Sequence, residues 1–185
     1  MSIAKIIFYL LCLLCVSYFT LCLMTDYQNA GTRERIPFPM WVIDTIDLFI
    51  HEAGHFFFSI FGRFVYFLGG SLFQILLPLV AVIVFARSSL RSLPFTLYWT
   101  GQSMVNVSVY IADAPYQHLR LISRHALHDW HWLMNSMGAM EYSEDLAGVV
   151  NFLGLAVCLA GIGLGIYFLV KDGITYFSER TAPVA

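Results

Sequence analysis

The sequence predicts an all-α polytopic membrane helix bundle of about five transmembrane helices with one interfacial amphipathic helix. Two observations carry that reading. The 185-residue chain is 59% hydrophobic and only 12% charged, whereas soluble domains carry about a quarter charged residues. Its apolar residues also gather into runs of spanning length, separated by short polar or Gly- and Pro-bearing breaks. The length admits one integral membrane domain over residues 1–185 and no large soluble partner domain.

Residues 6–24 form the first run, just behind Lys5. The run is long for a signal peptide and no Ala-x-Ala pattern follows, so it reads as a retained span. Residues 25–39 are a polar loop containing Arg33, Arg35, Pro37 and Pro39. Residues 41–62 are the second span, and their apolar continuation to residue 68 implies tilt or a break near Gly62-Arg63. Gly69-Gly70-Ser71 is a turn signal. Residues 72–86 follow as the third span, with Gln74 near the start and Pro78 placed to kink it.

Pro94 suits the first turn of the fourth span, residues 94–113. Gln102, Asn106, Tyr110 and Asp113 recur there at three- and four-residue spacing, a polar face that should point into the bundle. Pro115 ends the helix. Residues 119–137 read as the interfacial helix. Ile122, Ala126, Trp130, Leu133 and Met137 fall on its apolar face, with Arg120, Arg124, His128, His131 and Asn135 opposite. Trp130 and Trp132 suit headgroup anchors. Residues 146–170 are the fifth span, preceded by Ser143, Glu144 and Asp145, which favour a helix start. Gly161-x-x-x-Gly165 within it permits close helix approach, and hence a homo-oligomer. With three crossings between them, Lys5 and the 87–91 loop fall on opposite sides of the bilayer.

Cys12, Cys15, Cys22 and Cys158 all lie in apolar runs and read as small core residues. A net charge of −2, with no basic stripe interleaved with aromatics, excludes a nucleic-acid binder. The expected partners are the lipid bilayer and a membrane-protein or peptide substrate.

Chemistry concentrates in His51-Glu52-Ala53-Gly54-His55. Two histidines four apart share a helix face, about 6 Å apart along the axis, and can hold one Zn²⁺. The intervening Glu52 can deprotonate a bound water. Asp47, one turn earlier, can accept the free ring N–H of His51, and Asp44 extends the stripe. These polar residues inside an apolar segment are costly without a function. A catalytic zinc site needs a third protein ligand. Asp113, at the end of the polar face, is the first candidate; as a helix-ending residue before Pro115 it also fits a plain loop role. His128, Asp129 and His131 are the alternative ligands.

The His51-Glu52-x-x-His55 motif in a hydrophobic segment, with an Asp ending a later span, resembles the site-2 protease type of intramembrane zinc metalloprotease. The resemblance covers roughly residues 41–114. It implies zinc held by His51, His55 and Asp113, Glu52 as general base, and Asn106 in contact with substrate. It also relates Gly69-Gly70-Ser71 and Gln74 to the family's substrate-clamping segment. The family's Asp is normally followed by Gly, whereas Asp113 lies between Ala112 and Ala114. The function expected is therefore a membrane-embedded zinc metallohydrolase that cleaves peptide bonds in or near the bilayer. The rivals are a lipid-modifying metalloenzyme and a metal-stabilised membrane scaffold or assembly subunit.

Overall fold

The computed structural model describes residues 2–25, 37–119 and 127–181, and all regular structure in them is helical. The helices are α1 (Ile3–Thr25), α2 (Phe38–Phe58), α3 (Arg63–Ser88), α4 (Leu93–Ala112), α5 (Asp129–Ser136) and α6 (Ser143–Thr181). Single 3₁₀ turns at Ser59–Phe61, Leu90–Ser92 and Met140–Tyr142 lead into α3, α4 and α6.

Local sequence sets the boundaries. Pro39 and Pro94 sit in the first turns of α2 and α4, where a missing N–H costs nothing. Gly62 separates α2 from α3 at φ +89°, an angle that residues with a Cβ rarely adopt. The Gly69-Gly70-Ser71 turn expected from sequence does not form; α3 runs through it unbroken. All three residues are buried, and Gly54 of α2 lies so close that a Cβ there would run into the Gly69 carbonyl oxygen. Small residues here permit helix contact instead of reversing the chain.

Three helices, α1, α3 and α6, are long and apolar enough to cross a membrane. That corrects the expected five. Asp44, Asp47 and Glu52 interrupt the apolar character of α2; Thr96, Thr100, Gln102, Ser103, Asn106 and Ser108 dilute that of α4. Both are still full helices of the bundle. The interfacial helix expected over residues 119–137 is shorter, Asp129–Ser136, and residues 120–126 lie outside the described residues.

α6 runs antiparallel to α4 and to α1. Asn151 Nδ2 donates to Ser108 Oγ at 3.3 Å, and Cys158 Sγ to the Tyr98 carbonyl at 3.7 Å. Gly161 faces Pro94, and Gly165 faces Leu13 and Pro94. The close approach offered by Gly161-x-x-x-Gly165 is thus made within the chain. A buried cluster of Val16, Leu23, Met40, Tyr98, Val105 and Cys158 joins α1, α2, α4 and α6. A second cluster, with Phe67, Ile111, Trp130, Leu133 and Met134, lies around α5.

The antiparallel order brings the start of α1, the α3–α4 turn and the far half of α6 to one end. Arg91 donates to Asp172 through Nε at 2.7 Å and through Nη2 at 2.5 Å, and Tyr9 meets Phe95 edge-on at 5.6 Å. Lys5 and the 87–91 turn therefore share an end, against the opposite sides expected from five crossings. α2, which is not among the helices apolar enough to cross a membrane, is the reason; its Asp44 meets Gln102 and Asn106 of α4 and its Asp47 meets Trp99 and Ser103. Single cysteines at Lys5 and Ser89, in a chain without its native cysteines, should react with a membrane-impermeant thiol reagent from the same face of sealed vesicles. Labelling from opposite faces would refute this arrangement.

Candidate metal centre

The α2–α3 hairpin presents two imidazoles to one carboxylate. His51 and His55 lie on the buried face of α2, 6% and 8% exposed. His51 Nδ1–H donates to Gln74 Oε1 at 3.2 Å, and His55 Nδ1–H to the Tyr66 carbonyl at 2.8 Å. Both acceptors are on α3. A carbonyl oxygen can only accept, so each ring carries a proton on Nδ1 and, in its neutral form, turns the Nε2 lone pair inward.

Both lone pairs face Asp129 Oδ2, at 2.9 Å from His51 Nε2 and 3.2 Å from His55 Nε2. Three electron-rich atoms this close repel one another unless a positive charge lies among them. A tetrahedral zinc ion with bonds of about 2.0–2.1 Å sets its ligand atoms about 3.3 Å apart. The donor atoms of His51, His55 and Asp129 all lie within 4.8 Å of one another. Two imidazole nitrogens and a carboxylate oxygen also form a donor set that zinc accepts. Space is kept for an ion as well: a Cβ on Gly70 would fall 2.6 Å from His51 Nε2 and 2.7 Å from His55 Nε2. The residues fit a divalent metal, with Asp129 as the third donor.

Asp113, the first sequence candidate, does not join this group. Its Oδ1 accepts from the His118 N–H and its Oδ2 from the Leu119 N–H, each at 2.9 Å. His128 Nε2 donates to the same Oδ2 at 3.1 Å. The carboxylate closes the turn after α4, as Asp before Pro115 is suited to do. His128 is spent as well. Its Nδ1 accepts from the His131 N–H at 3.1 Å, capping α5, so both ring nitrogens are engaged. Burial pushes the His128 pKa below the ordinary imidazole value, against the opposing pull of Asp113. His131 turns Nδ1 to the Ala114 carbonyl at 2.8 Å.

Asp47 does not orient His51. It is fully buried and accepts from Trp99 Nε1 at 3.0 Å, with Ser103 Oγ at 3.4 Å. The orienting residue is Gln74, whose Nε2 donates to Asn106 Oδ1 at 3.0 Å. Asn106 Nδ2 in turn approaches Asp44 Oδ1 at 3.3 Å, and Gln102 Nε2 donates to the same oxygen at 2.8 Å. Asn106, expected to touch substrate, is a link in this chain from His51 to Asp44. Glu52, between His51 and His55 on α2, is partly exposed.

α5 brings Asp129 to the site. Leu133 and Met134 are 1% and 2% exposed, and burying each is worth roughly 1.5–3 kcal/mol. Trp130 Nε1 donates to Ser71 Oγ at 3.0 Å. Trp132 stacks on Phe67 at 4.4 Å, with the Arg63 guanidinium 5.0 Å from its ring. Both tryptophans thus hold α5 to the bundle, where the sequence suggested headgroup anchors. Tyr110, read from the sequence as part of the polar face of α4, and Gly70, read as part of a turn, were not named as site residues; their places beside Asp129 and the two rings follow only once α3, α4 and α5 are brought together.

Comparison of the chain with known protein families, with curated proteins and with solved structures finds no match.

Two pairs of variants test the donor set by elemental analysis of protein purified with zinc. Asp129→Asn should hold far less than one zinc per chain, while Asp113→Asn should stay close to wild type and lose thermal stability. The reverse ranking would return Asp113 to the site. Gly70→Ala should lose zinc as severely as His51→Ala, because its methyl occupies the space between the rings; normal zinc in Gly70→Ala would contradict this geometry.

Proposed function

We propose that this chain is a multi-pass membrane zinc metallohydrolase, an intramembrane metalloprotease of the site-2 protease type. The observation that carries the reading is the open donor set. His51, His55 and Asp129 converge, and no fourth His, Cys, Asp or Glu joins them among the described residues. Catalytic zinc sites keep a position free for water, whereas structural sites close it with a fourth protein ligand. Glu52 lies between the two histidines on the same helix and is partly exposed.

Zinc in this place would polarise a scissile carbonyl and make a bound water acidic. Glu52 would take the water's proton and hand it to the leaving amine. The Nδ1 hydrogen bonds to Gln74 and Tyr66 would fix both imidazoles with Nε2 inward, a control that typically alters metal affinity or activity 10–100-fold. The departure from the family pattern is the source of the carboxylate: it comes from α5, not from the end of α4. The substrate we favour is a membrane-protein or peptide segment, because lipid-scale apolar surface surrounds the site: Phe49 and Phe56, one turn either side of Glu52, are 65% and 77% exposed.

The scaffold reading needs a fourth ligand, and its best candidate, His128, has both nitrogens engaged. A di-metal lipid-modifying enzyme needs a second donor group, and the described residues hold only this one.

Glu52→Gln separates catalysis from a structural metal. The variant should retain zinc near wild-type content and lose about 10²–10⁴-fold in cleavage of a transmembrane peptide substrate in detergent or vesicles. Undiminished cleavage by the zinc-loaded variant would exclude the hydrolase mechanism.

A further inference from the structure

We infer that Tyr110 is a further catalytic residue, its hydroxyl donating a hydrogen bond to the oxyanion that forms beside Asp129; this rests on the metallohydrolase reading above. The phenol oxygen accepts from the Asp129 backbone N–H at 3.0 Å. That contact fixes where the oxygen sits but leaves its proton free to turn. The nearest acceptor is Asp129 Oδ2, at 3.3 Å, the same oxygen that faces both Nε2 atoms. The hydroxyl therefore stands beside the carboxylate oxygen on which the two imidazoles converge.

Its ring is held from two sides. His51 meets it edge-on at 5.7 Å, and His128 lies tilted against it at 4.4 Å. His128 is itself pinned by Asp113 and by the His131 N–H. The cluster that the sequence offered as ligands thus becomes the support that aims a phenol. Glu52, between His51 and His55 on α2, supplies a carboxylate as proton acceptor, and Tyr110 supplies a hydroxyl as proton donor.

The chemistry needs both. When a water oxygen adds to a carbonyl carbon, its proton goes to Glu52 and the C=O π pair moves onto the carbonyl oxygen. Charge grows on that oxygen, and a donor already in place stabilises it without reorganising. Once Asp129 Oδ2 is committed to a metal, the Tyr110 proton is free to serve the new anion.

The test needs no substrate. Protein loaded with Co²⁺ in place of zinc reports its ligand field in the visible spectrum, and acetohydroxamate supplies an anionic oxygen to the metal. In Tyr110→Phe the ring and its packing remain. The variant should bind Co²⁺ with the wild-type spectrum and bind acetohydroxamate about 10- to 100-fold more weakly, the worth of one hydrogen bond to a charged acceptor. Equal hydroxamate affinity overturns the proposal. Loss of Co²⁺ itself, or a changed spectrum before hydroxamate is added, also overturns it, showing that Tyr110 only holds Asp129 in place. Wild-type protein that takes up no Co²⁺ removes the metal reading and this proposal together, an outcome distinct from the other two.

Discussion

Two imidazoles and one carboxylate oxygen share a single point, and most of the interior is arranged to make that possible. His51 and His55 reach it from α2 only because α3 lies unusually close, with Gly54 against Gly69 and Gly70 against both rings. Asp129 reaches it only because α5 is seated by Trp130, Leu133 and Met134. Neither half completes the site alone. A metal at that point would tie α5 to the hairpin, so its binding free energy would also be folding free energy for this end of the molecule.

The second constraint is the cost of polar groups away from water. The chain meets it with long connected networks. From His51 the hydrogen bonds run through Gln74 and Asn106 to Asp44, where Gln102 also donates. Asp47 takes the Trp99 and Ser103 side chains. Four of these contacts join α2 to α4, so α4 satisfies the carboxylates of α2.

This explains what the sequence could reveal. The helical class, the His51–His55 pair and the inward polar face of α4 were legible because each rests on periodicity inside one helix. The span count was not, since α2 and α4 are as long as spans but are stabilised by side-chain pairs invisible in a single run of residues. Gly69-Gly70 read as a turn because glycine alone carries two messages, a chain reversal or a close helix contact. Only the partner, Gly54, decides between them. Asp113 and Asp129 carry the same side chain, one capping the end of α4 and the other beginning α5. The turn at residues 113–119 claims the first through two backbone N–H groups, which leaves the second for the histidines. A competition between backbone donors and side-chain donors for two carboxylates cannot be read from spacing.

The same competition assigns the remaining histidines. His128 and His131 sit one turn apart on either side of Asp129, a pattern that invites a metal. Yet His128 caps α5 with Nδ1 and grips Asp113 with Nε2, and His131 grips the Ala114 carbonyl. Each ring nitrogen used this way stiffens the connection between the end of α4 and the start of α5. That connection fixes the distance from the polar face of α4 to Asp129. The result is a division of labour written in imidazole chemistry: the pair on α2 presents free lone pairs, while His128 and His131 spend their nitrogens on backbone and carboxylate partners. Of the His128–Asp129–His131 pattern only Asp129 therefore joins the site, and its histidines are the His51–His55 pair.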